Sequence, residues 1–133
     1  MILERLSRAL AGHEAALAGR DPPFREAAVA LVLTPHGEDA NLLLLRRATH
    51  APDPWSGQVG LPGGHIEAHD ASLLHTAIRE TREETAVDLW GATLLGALDE
   101  LRPRTAVLPP IIVRPYVMVV AERPPLVPSI EVA

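Results

Sequence analysis

Three glutamates, Glu80, Glu83 and Glu84, stand at i, i+3 and i+4. On an α-helix that spacing makes neighbours of their side chains, with Cβ atoms roughly 5–6 Å apart. Left bare, the Glu80–Glu84 pair repels by a few tenths of a kcal/mol, and a divalent cation reverses that sign. Carboxylate oxygens suit a hard ion such as Mg²⁺, which keeps several waters and completes its shell with substrate phosphates. Arg79 and Arg82 are interleaved with the acids, and Arg79 to Glu83 is an i, i+4 pair that can hold that carboxylate in place. A solvated, salt-bridged helix face would use the same residues, so the cluster alone leaves both readings open.

The flanking residues say how such a cluster would be positioned. Leu61-Pro62-Gly63-Gly64 predicts a tight turn, because paired glycines allow close backbone approach. A short polar loop, His65 to Asp70, follows. From Asp70 a helix is expected, with Leu74, Ile78, Thr81 and Thr85 on one face and the glutamates on the other. Asp70 is the expected N-cap, its carboxylate accepting from orphan backbone N–H groups.

From Gly64 through Val87 the pattern of glycine pair, acidic loop residue and Arg-Glu-x-x-Glu-Glu closely resembles the signature of the Nudix hydrolases. These are metal-dependent enzymes that cleave diphosphates linked to a second moiety. This chain departs from the general pattern at four places. The loop acid is Asp70 rather than Glu, and the spacer from it to Arg79 is one residue longer than the commonest form. Thr81 stands at an apolar position, and Ala86 where a glycine is usual. The first two departures, with Gly57-Gln58-Val59 ahead of the turn, resemble the coenzyme A pyrophosphatase branch. In that branch a basic residue and a histidine precede Gly-Gln-Val, and here those places hold Asp53-Pro54-Trp55-Ser56.

The resemblance implies an α/β fold, an α/β/α sandwich built on a mixed sheet. It implies one or more Mg²⁺ or Mn²⁺ ions held by Glu80, Glu83, Glu84 and the Gly63 carbonyl, with Arg79 in the catalytic motif and Gly64 beside the substrate. A bound metal lowers the pKa of its water, and a carboxylate then accepts the proton. Glu80 is one candidate acceptor; Asp99, Glu100, Glu122 and Glu131 are others in later loops. Of these, Glu131 is also a possible extra ligand. The expected function is hydrolysis of a phosphoanhydride in a nucleoside diphosphate linked to another moiety, with a coenzyme A-like substrate favoured. ADP-ribose or dinucleotide pyrophosphatase is the alternative, as is a non-catalytic Nudix-shaped module that binds an effector. The intact glutamate set argues against the last.

Composition narrows the setting. At 133 residues, one domain spanning 1–133 is expected. Hydrophobic residues make up 47% and aromatics 3%, so the core must be built of Leu, Val, Ile and Ala. The net charge of −5 argues against a nucleic-acid backbone binder. It also leaves a nucleotide substrate to be drawn by local arginines and metal rather than by the overall field. Lys is absent and every non-histidine cation is Arg. Without cysteine there is no disulfide, thiolate nucleophile or zinc–thiolate site, and Ser56 has no evident base partner. Glu4, Arg5 and Arg8 interrupt the first apolar residues, so no signal-peptide core is expected, and no run is long enough to span a bilayer. A cytoplasmic protein without membrane or nucleic-acid partners is expected, with a homodimer possible.

Along the chain, residues 2–18 read as an amphipathic helix stopped at Gly19, lying outside the domain or on a partner subunit. Ala27–Thr34 and Asn41–Arg47 read as a hairpin around Gly37-Glu38-Asp39, both strands apolar enough to be covered on both faces. Arg46 and Arg47 close the second strand, one to each face, and one of them could meet a substrate phosphate. Trp55 lies just before the glycine turn, placed to stack on a base or to plug the core. Gly57–Leu61, Ala92–Leu98 and Ile111–Val120 are expected strands, with Pro115 marking an edge or bulge. His65, His69 and His75 form no ligand spacing. Ser129–Ala133 reads as the start of another element after a proline-rich connector, which predicts a natural chain longer than this one. Cover by a partner subunit or by the amino-terminal helix would be the other ways to close the sheet.

Overall fold

The computed structural model describes residues 2–18, 25–46, 59–102 and 111–121. Its elements in chain order are α1 (Ile2–Ala11), β1 (Arg25–His36), β2 (Asp39–Leu42), β3 (Leu45–Arg46), β4 (Val59–Gly60), β5 (Gly63–His65), α2 (Leu73–Thr85), β6 (Thr93–Ala97) and β7 (Ile111–Val119). The main sheet runs β2-β1-β7-β6, and β5 also pairs with β1. β1 is the axis. One of its edges pairs antiparallel with β2 along its C-terminal half and with β5 along its N-terminal half, while its other edge pairs in parallel with β7. β3 and β4 form a separate two-stranded piece.

Strand alternation divides the core into two clusters. Ala28, Ala30 and Val32 of β1, with Tyr116 and Met118 of β7, face α2 and pack on Leu73, Ala77 and Ile78. The intervening Leu33 and Val117 face the opposite way and meet Leu3 and Leu10 of α1. A helix therefore covers each face of a mixed sheet, the α/β/α arrangement expected. Both interior strands are apolar in near-continuous runs because both of their faces are covered. Gly96 leaves room for α1: a Cβ there would lie 3.3 Å from the Leu10 Cβ.

Five expectations need correction. The first helix stops at Ala11 rather than continuing to residue 18, because Gly12 follows and Asp99 and Glu100 capture the chain beyond it. His13 Nε2 lies 2.9 Å from Asp99 Oδ1, the Ala16 and Ala18 amides donate to Asp99 and Glu100 at 2.9 Å, and Leu17 is left exposed. The same helix is one of the two helical layers that sandwich the sheet, the cover the sequence offered as one way to close it, rather than an appendage outside the domain. The strand expected over 41–47 is broken at Leu43-Leu44, and β2 is largely exposed rather than covered on both faces. The hairpin itself forms, with His36 opposite Asp39.

Pro115 marks no edge strand, since β7 lies between β1 and β6. It does sit at an irregularity: besides the shift between Leu94 and Gly96, Ala97 pairs with Tyr116 and Leu101 with Val113, so three residues stand opposite Arg114 and Pro115. Val113 exchanges both backbone bonds with Leu101, and the Pro115 carbonyl accepts from the Leu98 N–H. The amide that proline lacks therefore faces the side where β6 has already ended, so no ladder bond is lost to β1. The fifth correction, the cap of α2, belongs to the site.

Among the described residues no helix is long and apolar enough to cross a membrane.

Candidate active site

The site grows from β5 and α2. Gly63 lies so close to β1 that a Cβ would overlap the Ala28 carbonyl oxygen and crowd Val29. Only glycine allows that approach. The backbone bonds Ala30 N–H to Pro62 O and Ile66 N–H to Glu26 O fix the alternation of this strand. The Gly63 amide and carbonyl consequently face away from β1, and the amide donates to Glu84 Oε1 at 2.8 Å. Gly64 is needed for a different reason. A Cβ there would sit 2.6–2.9 Å from the Glu80 carboxylate, so this carboxylate occupies the space a side chain would take.

Glu84 is the first surprise. The heptad-like spacing puts it on the acidic face, yet it is 4% exposed. It borders the buried face formed by Thr81 and Thr85, and β5 runs close enough to cover it. Glu80 is partly buried, whereas Glu83 is 58% exposed, the only one of the three that stands in solvent.

Arg79 ties the loop to the helix. Its Nε donates to Asp70 Oδ1 at 2.9 Å and its Nη2 to Asp70 Oδ2 at 3.0 Å. Its Nη1 donates to Glu80 at 3.0 Å and to Glu83 at 3.2 Å, and Nη2 also reaches the His65 carbonyl. One guanidinium thus positions two of the three glutamates. The Arg79 bonds, with those from the Glu67 amide and the Thr76 hydroxyl, hold the Asp70 carboxyl well below the usual carboxylate range despite full burial of its side chain. The Asp70 carboxylate in turn holds the Arg79 proton more tightly than usual.

Asp70 is therefore not the N-cap. Ser72 has extended backbone angles, and its Oγ accepts from the His75 N–H at 3.2 Å. Asp70 is diverted because a bidentate arginine is a stronger partner than orphan helix amides. At the other end Ala86 is left-handed, at φ 66, and its N–H bonds to the Arg82 carbonyl. An alanine thus carries the helix stop that glycine usually makes. The threonines on the inner face are satisfied locally: Thr81 and Thr85 hydroxyls donate to carbonyls four residues back at 2.7 Å.

Of the remaining expected residues, Arg46 lies exposed at the end of β3, opposite Val59. Arg47, Trp55, Glu122 and Glu131 lie outside the described residues. Asp99 and Glu100, two of the candidate proton acceptors, instead hold the segment after α1, and Glu100 is bound by Arg114 at 2.7 Å. Sequence reasoning passed over Arg114 because it sits in an otherwise apolar strand.

The NUDIX domain model matches residues 23–128, four-fifths of the sequence, and includes the glycine turn and every acid of α2. The chain belongs to the NUDIX family. A Nudix hydrolase named NudL and called uncharacterized, from Enterobacter sp. (strain 638), is 33% identical over 99 residues, covering 68% of this chain and 51% of its own. The chain spans about half the length of this curated relative. Among solved structures, the NUDIX domain of Shewanella oneidensis NrtR complexed with ADP ribose is 26% identical, with a TM-score of 0.61 over 96% of this chain and 76% of that one. A C. elegans Ap4A hydrolase binary complex shares the fold, with a TM-score of 0.66 at 20% identity, covering 82% of this chain and 75% of that one.

The Nudix donor set can be judged on its chemistry. Glu80 and Glu84 both meet the glycine turn, and Arg79 gathers Glu80 and Glu83. All are hard oxygen donors suited to Mg²⁺ or Mn²⁺. Among the described residues no three such groups are already drawn in around one point. The protein alone has arginine and amide hydrogens where a cation would supply charge.

Proposed function

We propose that this NUDIX chain is a pyrophosphohydrolase that cleaves the phosphoanhydride of a nucleoside diphosphate linked to a second moiety. The observation that carries the reading is the convergence of Glu80 and Glu84 on the Gly63-Gly64 turn. Glu80, Glu83, Glu84 and the Gly63 carbonyl would hold Mg²⁺ or Mn²⁺, which supplies charge neutralisation of the diphosphate and a more acidic water. The protein's own contribution is positional. Glu84 fixes the turn through the Gly63 amide, and Arg79 orients Glu80 and Glu83. Glu80, which meets the turn, is the acceptor proposed for the proton of the attacking water; of the other candidates Asp99 and Glu100 are occupied in holding the segment after α1, and Glu122 and Glu131 lie outside the described residues. Gly64, without a side chain, leaves the space that the Glu80 carboxylate occupies beside the turn.

For the substrate, the Gly57-Gln58-Val59 stretch and the longer spacer to Arg79 favour a coenzyme A-like molecule. The ADP-ribose complex of the NrtR domain supports an ADP-ribose substrate as the second reading. Purified protein should be assayed with Mg²⁺ and with Mn²⁺ against coenzyme A, ADP-ribose, NADH and dinucleoside polyphosphates. Cleavage of none of them, with the protein folded, overturns the enzymatic reading. Strong cleavage of ADP-ribose beside none of coenzyme A overturns the substrate preference alone.

A further inference from the structure

The first turn of α2 and the loop before it hold each other through a second set of hydrogen bonds, beside the Arg79 clamp. The Ala71 N–H donates to His75 Nδ1 at 3.2 Å, and the His75 N–H donates to Ser72 Oγ at 3.2 Å. Side chain and backbone serve each other across the helix start, as in a capping box, with histidine at the place of glutamate and reaching one amide further back. A backbone amide can only donate, so Nδ1 is the bare nitrogen of the ring and Nε2 carries its hydrogen. One residue on, the buried Thr76 hydroxyl donates to Asp70 Oδ2 at 2.9 Å and lies 3.2 Å from the Ser72 carbonyl. Asp70, Ala71 and Ser72 are therefore each bound by the first turn of the helix.

The His75 ring is itself held. It stands edge-to-face against Trp90, with centroids 5.5 Å apart, and against His69 at 6.5 Å. Trp90 arrives from the far end of the helix. The left-handed stop at Ala86 turns the chain back along α2, Leu89 is buried, and the Trp90 amide donates to Asp88 Oδ1 at 2.9 Å. Trp90 is 63% exposed and adds little to the core, so burial does not explain a tryptophan there; bracing His75 does.

We propose that His75 is a positioning residue of the active site, with Trp90 as its brace. The inference deepens the pyrophosphohydrolase reading, on which it rests. His75 fixes Ala71, the neighbour of Asp70; Asp70 takes two bonds from Arg79; and Arg79 holds Glu80 and Glu83. With the Ala71 amide released, the loop can swing at the residue next to Asp70, and the guanidinium carries that movement to both glutamates. His75 acts on the metal's carboxylates through this chain.

The test compares His75→Leu with His75→Asn. Asparagine places Oδ1 where Nδ1 stands, and leucine has the same branching without an acceptor. Leucine is also the better helix former, so a worse result for it cannot come from propensity. The first readout is Mn²⁺ affinity without substrate, by calorimetry. His75→Leu should weaken it about tenfold, the low end of what residues that hold a metal's ligands cost, and His75→Asn should restore most of the loss. The Ala71 amide should exchange with solvent faster in the leucine variant than in the wild type or the asparagine variant. In turnover His75→Leu should lower kcat while KM changes little. Unchanged Mn²⁺ affinity in folded His75→Leu, or equal losses in the two variants, overturns the assignment and leaves the enzymatic reading standing. A wild type that binds no Mn²⁺ overturns it together with the metal site. Mn²⁺ binding that depends on His75, without hydrolysis of any diphosphate, keeps it and discards the enzymatic reading instead.

Discussion

Arg79 grips Asp70 through two near-parallel hydrogen bonds, Nε to Oδ1 at 2.9 Å and Nη2 to Oδ2 at 3.0 Å. This clamp joins the loop after the glycine turn to the middle of α2, and so sets the height of the acids above the turn. Asp70→Asn keeps the shape but removes the charge, leaving Arg79 largely buried against a neutral amide. Because Glu80 and Glu83 still pair with Arg79, the loss of this charged hydrogen-bond partner costs about 1–3 kcal/mol. A urea-unfolding midpoint unchanged by the substitution would show the clamp to be dispensable.

The same clamp gives stability a pH dependence. The folded-state pKa of Asp70 is depressed, chiefly by its hydrogen bonds from Arg79. Its contribution is therefore fully present above the unfolded carboxyl value of about 3.9 and is lost as pH falls toward the folded value. Between pH 5 and pH 2, two settings chosen to span about that unfolded value, wild type should lose more unfolding free energy than Asp70→Asn. Equal losses would place the acid sensitivity elsewhere.

Gly63 and Gly64 should fail differently when changed to alanine. At Gly63 the new methyl meets β1 backbone, which cannot yield cheaply, so stability falls by about 2–4 kcal/mol. At Gly64 it meets the end of the flexible Glu80 side chain, so the fold survives and turnover is lost as Glu80 is displaced. Melting temperature and turnover, measured on both variants, separate the two; a stable and fully active Gly64→Ala would refute the role given to Glu80.

Glu83→Gln should leave stability within about 0.5 kcal/mol, because the side chain is largely in solvent. Hydrolysis should fall about 100-fold or more if Glu83 is a metal ligand. EDTA should abolish wild-type turnover, and Mg²⁺ or Mn²⁺ should restore it. Full activity of the variant in Mg²⁺ removes Glu83 from the ligand set.

Ala86→Gly should stabilise the protein by roughly 0.5–1 kcal/mol, since glycine adopts the left-handed helix stop without a Cβ penalty. Chemical denaturation reads this directly. A lower midpoint would mean that the loss of unfolded-state restriction outweighs the relief at φ 66.

Much of the site was written in local sequence. Helical periodicity placed the acids together, the glycine pair marked the turn, and the i, i+4 rule paired Arg79 with Glu83. These features depend on residues within one or two turns of each other, so spacing suffices to read them. A continuous apolar run likewise marked β1 as a strand covered on both faces, and apolar content marked β7 as a strand, whereas the same reading of residues 41–47 failed. What spacing could not supply is which residue across the fold claims a given group. Asp70 could have capped α2; Arg79, nine residues on, took it, and the cap passed to Ser72. Glu84 belonged to the acidic face by number, but the approach of β5 buried it against the Gly63 amide. The end of α1 was decided by Asp99 and Glu100, more than eighty residues away. Pro115 looked like an edge marker until the parallel register turned its missing amide toward the end of β6. His75 met Trp90 only once the chain beyond Ala86 had turned back along α2. Chemistry carried by neighbours in sequence is legible from the chain alone; long-range pairing, which fixes face, register and burial, exists only once the sheet has formed.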